Sequence, residues 1–333
     1  MGRTPGLRQK HTAGLGPASS CVTHVASPRA IVARSLFLQC RSAGEHYVRV
    51  SSVEPGSEEE RRWTWDPSLY AGSASYYTVG RVAYPGEVAH SLVAALELDG
   101  SERLLDVGCG PGSLTLLLAT HLAEAIGVDA DVDMLTEAAR LAREKHLRNV
   151  SWRHMRGEDL PADLPPVQLV TFAQSFHWMD RPRVATAVRA MLPPGTALVH
   201  VHATTHQGVD TGVELQHPRP PREAITRLVR RYLGPLRRAG QGVLSAGTPG
   251  DEDAIYRAAG FTGPQRLDVL GWAVERTADQ LAASVYSLSG SAPHLFGDRL
   301  EAFDAELRQR LVQASADGWF SEQMRSITLD IWR

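Results

Sequence analysis

Three glycines and two acids carry the chemistry legible in this chain. Asp106-Val107-Gly108-Cys109-Gly110-Pro111-Gly112 places an acid ahead of glycines at alternate positions, and Asp129 follows 17 residues after Gly112. Glycines let backbone N–H groups approach a polar ligand with no Cβ in the way. The run LTLLLA after Ser113 reads as a helix, whose first N–H groups favour an anion. A carboxylate at Asp129, at the end of a strand, has the lone pairs to accept both hydroxyls of a ribose. The dinucleotide fingerprint needs G-x-G-x-x-G; position 113 is Ser, which disfavours a nicotinamide oxidoreductase. His177, in Ser175-Phe176-His177-Trp178, is the candidate general base because imidazole titrates near neutral pH. The alternative is that His177 and Trp178 only shape a pocket wall and pack on an aromatic flap.

These residues need a scaffold of alternating strands and helices. Leu104, Leu105 and Val107 read as a buried parallel strand, with Ser113 as the N-cap of the next helix. A second strand ends at Asp129 and a helix follows, with Asp131 its better-suited N-cap. A third strand spans Val150 to Arg153 and leads to the loop Gly157, Glu158 and Asp159. The fourth, VQLVTFAQ, delivers the Ser175–Trp178 segment to the carboxyl edge of the sheet, over the ligand crevice of an open parallel fold. A helix through Val184 to Met191 and a fifth strand, TALVHVHA, complete the alternating half. His200 and His202 share one face of that strand but lack a third metal ligand, so they read as strand histidines. Further on come a helix over Arg222–Leu233, a helix ending at Gly260, a strand QRLDVLGWAV, an amphipathic stretch Arg299 to Leu311 and a strand SITLDIW. Upstream, WTWDPSLYAGSASYYTVGRVAYP is dense in aromatics, and Pro85 opens a helix over 86–97.

The run Asp106 to Gly112 resembles motif I, [D/E]-x-G-x-G-x-G, of the class I S-adenosylmethionine (SAM)-dependent methyltransferases. Gly127-Val128-Asp129, Met134-Leu135 and the Ala173-Gln174 to His177-Trp178 segment are similar to that family's downstream pattern. They point to the broad type-11 group that includes the menaquinone/ubiquinone and trans-aconitate methyltransferases. The resemblance covers roughly 69–203 by motif. It implies an α/β Rossmann-like seven-stranded mixed sheet, last strand antiparallel, flanked by helices and topped by a helical cap. It also implies SAM as cofactor and a small-molecule acceptor, with no nucleic acid and no membrane as partner. On this reading Asp106, Gly108, Cys109, Gly110, Gly112, Asp129, Ala130, Ala173 and Gln174 face the cofactor. Tyr77 and Arg81 hold its carboxylate, and Gly157, Glu158 or Asp159 flanks its adenine. Tyr84, His177 and Trp178 line the acceptor pocket. Two rival readings keep the cofactor and change the outcome: a cyclase-like enzyme, or a non-catalytic SAM-binding partner protein.

Composition bounds the remainder. Of 35 basic and 37 acidic residues, seven basic and one acidic fall in 1–52, so 53–333 carry 28 against 36, a net −8. That balance gives no reason to expect nucleic acid or an anionic membrane as the main partner. The leader, 1–62, whose first 52 residues are Arg-rich and acid-poor, reads as disordered, either upstream sequence from a start placed too early or, as the minority reading, a transit peptide. The methyltransferase domain is expected over 63–333, with a flap and helix at 69–100, the SAM-binding core at 103–203, and acceptor-cap insertions at 204–250 and 277–315. Three cysteines, Cys21, Cys40 and Cys109, show no ligand spacing, so no metal is expected and the setting reads as reduced and cytoplasmic.

Overall fold

The structure, a computed structural model, describes residues 66–235 and 250–333, and the backbone of two short strands between them. The expected leader, with Trp63 and Trp65, lies outside the described residues, as does part of the expected cap at 236–249.

Strand β1 (Arg103–Val107) is apolar on both faces, and each face meets a different core. Leu104 packs with Leu92, Leu114, Leu118, Val199 and Leu329, whereas Leu105 packs with Ile126, Val170, Val184, Val188 and Trp332. A strand covered on both sides must read as a continuous apolar run, as this one does. The sheet has seven strands: β3 (Val150–His154), β2 (Glu124–Asp129), β1, β4 (Leu169–Ala173), β5 (Ala197–His202), β11 (Ile327–Trp332) and β8 (Gln265–Val269), in that spatial order. The pairs from β3 to β5 are parallel, and β11 runs antiparallel to both β5 and β8. The antiparallel last strand is therefore as expected. From β1 the order runs outward to β2 and β3 on one side and to β4 and β5 on the other. That reversal opens a crevice beyond the carboxyl ends of β1 and β4.

The helices are α1 (Ala74–Gly80), α2 (Gly86–Leu96), α3 (Ser113–Leu118), α4 (Val132–Glu144), α5 (Arg181–Met191), α6 (Arg222–Leu233), α7 (Glu252–Ala258), α8 (Ala278–Tyr286) and α9 (Leu300–Ala314). No helix of the described residues is long and apolar enough to cross a membrane. Asp131 caps α4 by accepting from the N–H groups of Asp133 and Met134. Ser113 does not cap α3: Gly112, at φ +79°, takes the cap position and leaves Ser113 first in the helix. The left-handed turn explains that shift of one residue, since glycine enters it without strain.

Four elements depart from the sequence reading. The strand expected over 265–274 is two strands, β8 and β9 (Ala273–Thr277), in different sheets. Between them, a Cβ on Gly271 would lie 2.1 Å from the Met324 carbonyl oxygen, so the chain turns where only glycine fits. The partner of β9 is β10 (Trp319–Gln323), which the sequence reading left unassigned. The stretch Tyr286 to Phe296, which the sequence suggests is helical, is not a continuous α-helix: α8 ends at Tyr286, and tight 3-10 turns follow over Ser289–Ser291 and Pro293–Arg299. A short hairpin, β6 (Arg237–Ala239) with β7 (Gly242–Leu244), follows α6.

A third core lies in this C-terminal half. Ile225 and Leu228 of α6 pack with Leu281 and Tyr286 of α8, Phe303, Leu307 and Leu311 of α9, and Phe320 of β10. A buried charge cluster fixes α6 and the β9–β10 pair together. Glu322 receives both Arg222 (2.6 Å) and Arg276 (3.2 Å), and Arg276 also donates to the carbonyls of Gly80, His206 and Gln280. Breaking one member of such a cluster strands buried charge. Glu322→Gln is expected to lower unfolding stability by about 3 kcal/mol or more, measured by urea denaturation. A loss below ~1 kcal/mol would mean that the cluster is not a tie. The crossing of α1 and α8 is as tight: a Cβ on Gly80 would lie 2.4 Å from the backbone of Ala283 and Ser284. Gly80→Ala is expected to cost about 1–3 kcal/mol by overpacking, read from the same denaturation curves.

Candidate active site

The loop after β1 is folded back onto the end of β2. The N–H groups of Gly108 and Cys109 both donate to the Val128 carbonyl, at 2.8 and 3.0 Å. The Gly110 N–H donates to Asp129 Oδ2 at 2.8 Å, and the Asp131 N–H donates to Asp129 Oδ1 at 2.9 Å. Gly108, at φ +70°, admits no side chain, because a Cβ would lie 2.5 Å from Ser175 Cβ. Around Gly110 the opposite holds: no heavy atom lies within 4 Å of where a Cβ would be, so the loop borders open space. Asp106 anchors the loop from beneath. Its carboxylate accepts from the hydroxyls of Thr115 (2.6 Å) and Thr171 (2.7 Å), tying β1 to α3 and β4.

That open space is a cleft of about 960 Å³, counted out to its mouth, at the carboxyl ends of β1, β2 and β4. It collects Tyr77, Arg81, Tyr84, Asp106, Gly108, Cys109, Gly110, Asp129, Ala130, Gly157, Glu158, Ala173, Gln174 and Trp178 from the sequence-derived set. Three members of that set do not line it. Gly112 instead turns the chain into α3, with the Trp152 ring 2.7 Å from the position of a Cβ. Asp159 caps its own turn by accepting from the Arg156 N–H, while its neighbour Glu158 is buried and accepts from the Asp180 N–H at 2.7 Å. His177 is the third. Phe176–Trp178 is a 3-10 turn, so successive side chains diverge by about 120°; Trp178 meets the cleft and His177 does not. Burial, with Arg181 adding to it, pushes the His177 imidazole down to about 4. His177 is off this lining and neutral at pH 7, and its ring packs 4.8 Å from that of Trp178, as the alternative reading has it.

The aromatic flap closes the other side. Tyr70 meets the Trp178 ring edge-on at 5.7 Å, and Tyr77 at 6.4 Å. Burial raises the Tyr70 and Tyr84 phenols above their usual range, so both are neutral at physiological pH. Arg81 lies over the Tyr77 ring at 4.4 Å and donates to Ser287 Oγ, the Ser287 carbonyl and Thr205 Oγ1. All three acceptors are neutral, which leaves the guanidinium charge uncompensated at the cleft. Sequence reading missed Leu69, Val82, Met155, Arg156, Met179 and Thr205 on the lining. Most are apolar or small residues with no spacing signal, brought in by the topology alone.

The donor set fits SAM. Each Asp129 carboxylate oxygen accepts one N–H and keeps a lone pair for a ribose hydroxyl. Arg81 matches a carboxylate, and the ring faces of the flap match a sulfonium cation. Burial raises Asp129 to about 6, against the opposing N–H bonds from Asp131 and Gly110. Burial also raises the Cys109 thiol well above its usual value, and Asp129 adds to this. His200 and His202 stack at 4.3 Å, His200 on the Tyr256 hydroxyl and His202 on Asp330. Among the described residues, no group of three or more His, Cys, Asp or Glu could hold a metal ion.

Residues 104–195 match a family model described as a methyltransferase domain, and they run from β1 through the turn before β5. An uncharacterized methyltransferase of Mycobacterium tuberculosis is 34% identical over 134 residues, 40% of this chain and 51% of the relative. Trans-aconitate 2-methyltransferase of Pseudomonas aeruginosa is 36% identical over 137 residues, 40% of this chain and 45% of the relative. The crystal structure of YcgJ from Bacillus subtilis superposes with a TM-score of 0.44 at 16% identity, covering 75% of this chain and 99% of that one. The chain thus spans about half the length of the curated relatives it matches. Residues 104–195, the segment that builds the glycine loop and both strand-end acids, are thus the part of the chain that is similar to a methyltransferase domain.

Proposed function

We propose that this chain binds SAM in the cleft and transfers its methyl group to a small-molecule acceptor. The observation that carries the reading is Asp129: a strand-end carboxylate, fixed by two backbone N–H groups, beside the open space at Gly110. When bound, SAM supplies a methyl carbon whose bond to the sulfonium sulfur breaks as the acceptor's lone pair forms the new bond, leaving S-adenosylhomocysteine. The chain's own residues position and enclose. Asp129 accepts the ribose hydroxyls, Arg81 takes the amino-acid carboxylate, and Tyr70, Tyr77, Tyr84 and Trp178 exclude water from the reacting centre. Positioning and desolvation of this kind can supply most of the acceleration of a displacement. The C-terminal helical layer of α6, α8 and α9 serves as the acceptor cap. With His177 off the cleft, the arrangement suits an acceptor that needs no proton removed, such as a carboxylate.

Calorimetric titration with S-adenosylhomocysteine tests the cofactor. The full chain is expected to bind it, and Asp129→Ala to weaken binding by about tenfold or more, which is ~1.4 kcal/mol. A folded protein that binds none would overturn the proposal. The pH dependence has a definite sign. The pKa of Asp129 is raised in the folded state, so its contribution to folding is most favourable below its unfolded value and is lost as pH rises through about 6. Ligand binding runs the other way, since only the ionised carboxylate accepts two hydroxyls. Affinity should therefore rise between pH 5 and 7 with a midpoint near 6, and Asp129→Asn should flatten the profile. An unchanged profile in that variant would mean that another group titrates.

A further inference from the structure

A second cavity lies behind the cleft, between α6 and α8. It measures about 930 Å³ when the open space at its mouth is included. Two chain segments separate the spaces. Thr205 faces the cleft and accepts from Arg81, while the next residues, His206 and Gln207, face the cavity. Ser287 likewise binds Arg81, and Leu288 after it lines the cavity. Anything seated in the cavity is thus about one residue's thickness from the cofactor's proposed carboxylate end.

The walls are of two kinds. Ile225, Val229 and Leu233 of α6 face Val285 and Leu288, giving an apolar slot. Arg222 and Arg230 add guanidinium groups, and none of the described lining residues is acidic. Arg222 is only half-compensated, because its partner Glu322 is shared with buried Arg276. Arg230 makes no ion pair or hydrogen bond among the described residues. Arg230, exposed at the rim of the slot, leaves its guanidinium open to an anion. An apolar lining with a few convergent polar groups is also the usual form of a small-molecule site.

We infer that this cavity is a second ligand site and that its ligand is an amphipathic anion: a carboxylate that meets Arg230 and Arg222, carried on an apolar body that fills the α6–α8 slot. The site stands apart from the methyl-transfer reading, since the Thr205 and Ser287 segments separate it from the cleft. Saturated ten-carbon ligands separate the two claims. Decanoate, 1-decanol and decylamine are titrated calorimetrically into the full chain, with S-adenosylhomocysteine titrated in parallel. Decanoate should bind about tenfold or more tighter than the alcohol or the amine. Arg230→Glu, at an exposed position that leaves the fold intact, should remove that preference and leave S-adenosylhomocysteine affinity unchanged. Equal binding of the three ligands, or decanoate binding untouched by Arg230→Glu, would overturn the inference even where S-adenosylhomocysteine binds. Selective decanoate binding without S-adenosylhomocysteine binding would uphold the anion site and overturn the methyltransferase reading instead.

Discussion

The site depends on one backbone arrangement, the return of the loop after β1 onto the end of β2. Three successive N–H groups, of Gly108, Cys109 and Gly110, all point to β2, two to the Val128 carbonyl and one to the Asp129 carboxylate. Buried N–H groups must find acceptors, and here the acceptors belong to the neighbouring strand. The loop therefore cannot relax without uncoupling β1 from β2. In satisfying itself, the loop also holds Asp129 in one orientation. The order of a ligand-facing carboxylate is thus set by backbone packing rather than by any partner side chain.

Charge is distributed to match. Asp106, buried beneath the loop, is fully engaged by two threonine hydroxyls, and burial raises its carboxyl above the usual range. Asp129, one strand over, keeps lone pairs free at the cleft. At the opposite end of the cleft Arg81 carries a charge answered only by neutral oxygens. One cleft thus presents an anion and a cation at separate places, as a ligand with a polar diol at one end and a carboxylate at the other would need. The Arg222–Glu322–Arg276 cluster extends the cationic side into the C-terminal half and ties α6, which lines the second cavity, to the β9–β10 pair.

Much of the core was legible in the sequence because its signals are local. Strand, glycine turn and helix follow one another within Arg103 to Leu118, and α6 occupies the range expected for it, Arg222–Leu233. Of the sequence-derived site residues, those at strand ends fall on the cleft, since topology sends every parallel strand's carboxyl end to the same edge. The misses have a common cause. Gly112, Asp159 and His177 are each within one residue of a position that does line the cleft, and only the local turn decides which neighbour faces in. The β9–β10 pair escaped for another reason. Its two strands are 42 positions apart, so their pairing is a long-range event with no local turn signal. The slot between α6 and α8 is likewise an outcome of packing between distant helices.

The most direct test of the account is a crystal structure of the full chain with S-adenosylhomocysteine. The account predicts both ribose hydroxyls within hydrogen-bond distance of the Asp129 carboxylate, with the Gly110 and Asp131 N–H bonds retained and the amino-acid carboxylate at Arg81. A ligand bound elsewhere, or an Asp129 side chain turned away from a ribose in the cleft, would contradict it.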